Sequence, residues 1–228
     1  MNLKPETSNP KPKTPDRPMT RRRFYAPPSA FTSDGARVAL SPEESQHLRG
    51  VLRLGPGDEA YVFDGEGREF RCGVESDGQE RKRKGGAEAQ LVVIESVVPQ
   101  SPESPLALTL AVGLLKGEKF DLVMQKATEL GVVRVVPVST KRADVRLRDE
   151  RDAEVRRARW QRLALEAAKQ SGRAVVPQVS PPVTFESLLA DVAAGVTFGD
   201  RLLFTERQGR GLRERAGGGA NETRPTAL

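Results

Sequence analysis

The chain has 228 residues, enough for one large domain or two small ones. Hydrophobic residues make up 37% and aromatics only 5%, so any core must be built from Val, Leu and Ala rather than from rings. A net charge of +6 fits a solvated surface or a polyanionic partner about equally, one cysteine excludes an intrachain disulfide, and the longest apolar run, Leu106 to Leu115, is too short to span a bilayer.

Residues 1–20 carry prolines at 5, 10, 12, 15 and 18 among Lys, Thr and Asn. They cannot bury enough apolar surface to offset the entropy of ordering, and a disordered basic arm is expected. No apolar h-region marks a secretory signal there, and the lone Cys72 fits a reducing compartment, so a cytoplasmic protein is expected. Structure is expected to begin near Arg21 and to form a small β-barrel over 21–98. Its strand candidates are "RVAL" (37–40), "EAYVFDG" (59–65), "EFRCGVES" (69–76) and "AQLVVIESVV" (89–98). Ser41-Pro42-Glu43-Glu44 reads as a capping box that opens a short helix through His47 and Leu48. A basic hairpin tip, Arg81 to Lys84, separates the last two strands.

The Pro/Ser-rich stretch 99–105 reads as a linker, after which the pattern changes. "LALTLAV" (106–112) has the continuous apolar character of a buried parallel strand. Residues 117–131 form an amphipathic helix with Phe120, Val123, Met124, Ala127 and Leu130 on one face and Gly131 as its stop. A strand at 132–138, a helix at 151–171 ended by Gly172, a strand at 174–179, a helix at 184–194 capped by Thr184 and a strand at 201–205 follow. This alternation predicts a parallel α/β sheet, making the chain α/β (α+β overall).

Chemistry-bearing motifs are few. One His and one Cys, with no HExxH or CxxC pattern, leave a metal site unsupported. No GxSxG, Walker A or GxGxxG sequence occurs, and His47 has no second histidine to work with. The basic residues say more. Arg23, Arg49 and Arg53 fall in the β-domain; Lys116, Lys119, Lys126, Arg142 and Arg173 fall near strand ends or helix starts of the α/β domain. Lys116 and Lys119 flank a first helical turn, where free N–H groups also attract anions. A solvated face explains any one of these charges; as a set they read as RNA-contact candidates along a phosphate-binding track.

Four segments carry a resemblance: "HLRGVLRLGPGD" (47–58), "FDG" (63–65), "GEKFDLVMQKATELGV" (117–132) and "WQRLALEAAKQSGR" (160–173). In this order they resemble the RsmE family, the 16S ribosomal RNA uridine N3-methyltransferases. The resemblance covers roughly 21–207 and implies an N-terminal PUA-like β-barrel that helps bind RNA. It also implies a SPOUT-type α/β domain at 106–207, whose trefoil-knotted backbone holds S-adenosylmethionine, and a homodimer. The implied reaction is methylation of N3 of a uridine in 16S ribosomal RNA of the small subunit. Thr205 and Glu206, just past the strand "LLFT", stand where that family's cofactor pocket begins. The chain then departs from the pattern. The family continues into a GPEGG-type loop and an LR-x-ETA-type segment, whereas 208–228 is glycine-rich with Leu212 and Leu228 as its large apolar residues. A flexible tail, an incomplete SPOUT-type domain without its knot segment and an incomplete cofactor pocket are therefore expected. The alternative is a catalytically inactive fragment that at most binds RNA.

Overall fold

The computed structural model describes residues 21–76, 88–141, 145, 147–194 and 201–204. The arm 1–20, the basic hairpin tip and the tail 208–228 lie outside them. The chain divides into two compact units, Met1–Ser104 with Ala168–Val176, and Pro105–Ala167 with Pro177–Leu228. The first unit thus takes in the end of a helix that belongs, by sequence position, to the α/β half.

The first unit is a curled five-stranded sheet built from β1 (Arg23–Tyr25), β2 (Arg37–Ala39), β3 (Glu59–Phe63), β4 (Glu69–Val74) and β5 (Gln90–Val97), in the order β1-β3-β4-β5-β2. β1 runs parallel to β3 and the other pairs are antiparallel. A register shift opposite Arg71/Cys72 leaves Ile94 as an extra residue on β5 and bends that strand against β4. The buried face gathers Phe24, Val38, Leu40, Leu48, Leu54, Val62, Cys72 and Leu91 into one core. Helix α1 (Pro42–Gln46) starts as its sequence predicts, with Ser41 Oγ accepting from Glu44 N at 3.3 Å. Ser45 ties it to the sheet by donating to Leu40 O (3.2 Å) and accepting from Ala89 N (2.7 Å). Burial pushes the Cys72 thiol up to about 12. Since the thiolate is the nucleophile, iodoacetamide at pH 8 is expected to leave the native chain unmodified and to label it once urea unfolds the barrel. Labelling of the native chain, read by intact mass, would contradict this placement.

The second unit is a parallel sheet of β6 (Thr109–Gly113), β7 (Arg134–Ser139), β8 (Gln178–Val179) and β9 (Val183–Thr184), with helices α2 (Glu118–Glu129), α3 (Glu150–Ser171, whose last residues join the first unit) and α4 (Phe185–Ala193). β7 is central: β6 pairs along one side, while β8 and β9 share the other. Pro181 and Pro182 separate β8 from β9, because proline has no N–H for the ladder. Helix α2 buries Phe120, Met124 and Ala127 as its period predicts. Leu130 does not join them and is 79% exposed. Gly131 (φ 93°) turns the chain, Gly131 N bonds Thr128 O and Val132 N bonds Ala127 O. This Schellman arrangement buries Val132 in place of Leu130. Helix α4 begins with Thr184 Oγ1 accepting from Ser187 N at 3.0 Å.

Two strand expectations are corrected. Of 174–179, only Gln178–Val179 joins the parallel sheet; Val175 instead bridges Gly65 and Glu66. Residues 201–204 form no strand, and Leu202, Leu203 and Phe204 are exposed. An apolar run becomes a buried strand only where ladder partners and covering helices meet it, and no described strand pairs with this one. No helix among the described residues is long and apolar enough to cross a membrane.

Candidate functional site

The basic residues separate into two groups. Arg23 and Arg173 are buried inside the first unit. The Arg23 guanidinium meets Glu69 with Nε at 3.3 Å and Nη2 at 3.1 Å, and donates further to Ala168 O, Lys169 O and Arg173 O. Its Cζ also lies 4.5 Å from the centroid of the Phe63 ring. Arg173 donates to Glu103 from Nε (2.9 Å) and Nη2 (2.7 Å), while the other Glu103 oxygen accepts Ala174 N and Val175 N. A phosphate arriving from solvent cannot reach either guanidinium, so these two leave the set of RNA-contact candidates. The sequence shows their charge; it does not show acidic partners many residues away.

Two of the resemblance segments prove to be parts of one construction. In "FDG", Asp64 is buried, and its carboxylate accepts Glu66 N (2.8 Å), Arg68 N (3.0 Å) and Arg68 Nε (2.6 Å). Gly65 has φ 82°, and a Cβ there would fall 2.9 Å from Tyr25 Cε2, so only glycine fits. Its carbonyl accepts Val176 N at 2.9 Å. In "SGR", Gly172 (φ 80°) lies against Gln100 and Ser101, and its carbonyl accepts Ser101 N at 3.0 Å. Both motifs hold the segment 168–176 on the barrel.

The second group faces solvent. In the first unit, Arg53 is exposed and Arg49 half-buried, both on the turn that follows α1. In the second unit, Lys116 and Lys119 are exposed at the β6–α2 connection, beyond the carboxyl end of β6. Gly117, between them, is the N-cap of α2 with φ 61°, a conformation that favours glycine. Lys141, beyond the end of β7, is exposed and pairs with Glu186 at 3.2 Å. Lys126, also exposed, donates to Glu129 at 2.6 Å and holds that carboxyl below its usual range. Asp121, in the first turn of α2, is held by Arg159. Arg142, Thr205 and Glu206 lie outside the described residues.

Carboxyl ends of parallel strands are where open α/β sheets take ligands. The described charges there are of both signs: Lys116, Lys119 and Lys141 stand with Glu118 and Asp121 of the first turn of α2 and with Glu186. Carboxylates as well as ammonium groups stand at this strand end, so its charge is compatible with both the sulfonium of S-adenosylmethionine and a phosphate. Among the described residues, no group of three or more His, Cys, Asp or Glu is placed to hold a metal ion.

Comparison with known proteins agrees with this architecture. The RNA methyltransferase domain family matches residues 102–220, and the RNA methyltransferase PUA domain family matches residues 40–81. The chain is 33% identical to the ribosomal RNA small subunit methyltransferase E of Bacillus subtilis, over 66% of this chain and 56% of that protein. It is 35% identical to the protein of the same name from Synechocystis, over 71% of this chain and 48% of that one. The chain therefore spans about half the length of these curated relatives. The crystal structure of the Neisseria gonorrhoeae enzyme of that name, bound to S-adenosyl methionine, superposes with a TM-score of 0.63 at 34% identity, covering 75% of this chain and 65% of that one. A Legionella pneumophila structure in complex with the cofactor SAM gives 0.63 at 30% identity, covering 75% and 66%. With both domain families matched in order, and with such relatives, the chain belongs to the RsmE family of small-subunit ribosomal RNA methyltransferases.

Proposed function

We propose that this chain takes part in methylating small-subunit ribosomal RNA, at N3 of a uridine, with S-adenosylmethionine as donor and a homodimer as the working form. The observation that carries the reading is the match of the RNA methyltransferase domain across 102–220, joined to a sheet edge that presents exposed lysines. S-adenosylmethionine supplies an electrophilic methyl group on a sulfonium. The chain's own part is to bind and orient. Lys116 and Lys119, with the free N–H groups at the start of α2, hold phosphates of the RNA backbone. Arg49 and Arg53 do the same from the barrel. The target base must be unpaired or flipped out of its stack to expose N3, and that proton must leave before or during transfer. No described residue is assigned as the base.

The test uses the full chain, undermethylated small-subunit RNA and methyl-labelled donor, followed by nucleoside digestion. Labelled 3-methyluridine is the expected product, and its absence with a folded chain defeats the catalytic reading. Filter binding to the same RNA should weaken steeply with salt, because each neutralised phosphate releases counterions. A flat salt dependence removes the phosphate track even if methylation is found.

A further inference from the structure

The turn after α1 departs from local preference in three ways. His47–Val51 close a π-helical turn, a rare form that concentrates at functional sites. Arg53 has φ 55° and is the non-glycine residue with positive φ among the described residues, a conformation that strains an L side chain. Gly50 sits inside the turn, where alanine would be the better helix former. A Cβ at Gly50 would meet only Gln46 Cγ, at 3.9 Å, so packing does not require the bare backbone.

Both ends of the turn are pinned. Leu48 and Leu54 are buried, Leu52 N donates to His47 O and Leu54 N to Leu48 O, each at 3.0 Å. What lies between is presented outward: Val51 is 68% exposed, Leu52 and Arg53 are exposed, and Arg49 is half-buried. Val51 therefore stands in solvent and Leu52 stands about one-third exposed (36%), next to the exposed Arg53. Choices that disfavour the fold locally and add nothing to its packing mark a site of function.

We infer that this turn is a contact element for an unpaired ribonucleotide segment, a reading that rests on the RNA function proposed above and sharpens it. Arg53 takes a backbone phosphate. Val51 and Leu52 lie against the face of an unstacked base or its ribose, and Gly50 lets the sugar–phosphate chain approach the backbone closely. Duplex RNA fits less well, because paired bases hide their faces and the deep, narrow major groove excludes side chains.

The experiment measures anisotropy of a labelled single-stranded RNA oligonucleotide, and of its duplex, with the full chain and two variants. Arg53→Gly removes the cation and relieves the positive φ. Its melting temperature should hold or rise, while single-strand affinity falls several-fold and the log–log salt slope becomes shallower by about 0.7. The double variant Val51→Ser/Leu52→Ser should keep the slope and lose the preference for single strand over duplex. A lower melting temperature for Arg53→Gly gives Arg53 a structural role and overturns the inference. So do variants that bind like the parent chain, an outcome that leaves the RNA function standing. Failure of the parent chain to bind either RNA overturns the RNA function as well.

Discussion

Replacing Glu69 with alanine is expected to destabilise the first unit by about 3–5 kcal/mol, the range for breaking a buried ion pair on one side. Glu69 is fully buried at the start of β4. It accepts from Arg21 Nη1 (3.1 Å), from Arg23 Nε and Nη2, and from Gln100 N (3.2 Å). Truncation leaves the Arg23 guanidinium buried without its counter-charge. The effect extends along the chain, because the same guanidinium donates to Ala168 O and Lys169 O in the last turn of α3. Carbonyls at a helix C-terminus have no partner within the helix, and a cation there also complements the dipole. Lys169 adds a second tie, with Nζ 2.7 Å from Glu44 Oε1. Urea unfolding followed by far-UV circular dichroism checks the prediction. Glu69→Gln, which keeps an acceptor but not the charge, should lose less than Glu69→Ala. A loss below about 1 kcal/mol for the alanine variant would mean that water reaches the cation after all.

This arrangement explains why the barrel was legible in the sequence and its full extent was not. Alternation and turn residues mark β3, β4 and β5, and Ser41 and Thr184 mark helix starts, because each signal lies within a few residues. β1 has three residues and is recognised only by its parallel pairing with β3, some forty positions on. The burial of Arg23 and Arg173 depends on Glu69 and Glu103, which the chain brings close only by folding. Ala174–Val176 has the composition of a strand, but its partner is the tight loop at Gly65 rather than the neighbouring parallel strand. Leu202–Phe204 shows the limit from the other side. Hydrophobicity states what a segment would gain by burial and not whether a surface exists to bury it. Of the candidate site, the sign and rough place of the charge were readable. Which cations would be taken into ion pairs, and the strained turn at Arg53, were not, since each depends on backbone geometry and distant partners.

In the second unit, Phe120→Ala should remove about 3–5 kcal/mol, the cost of deleting a buried ring and leaving its cavity. Phe120 is buried on the inner face of α2, and its ring centroid stands 4.5 Å from that of Trp160 on α3, at an interplanar angle of 44°. Stability of a whole domain is about 5–15 kcal/mol, so this one change removes a large share of it. Trp160 is the chain's one tryptophan, and it is buried. Its emission therefore reports on this packing with no added label. In Phe120→Ala the native emission should shift to the red as the indole gains access to water, and the tryptophan-detected melting temperature should fall. In Glu69→Ala, by contrast, native Trp160 emission should shift less, because the disturbed ties lie at Ala168 and Lys169, about two turns further along α3. If Phe120→Ala left both emission and melting unchanged, the Phe120–Trp160 contact would not be what holds α2 against α3.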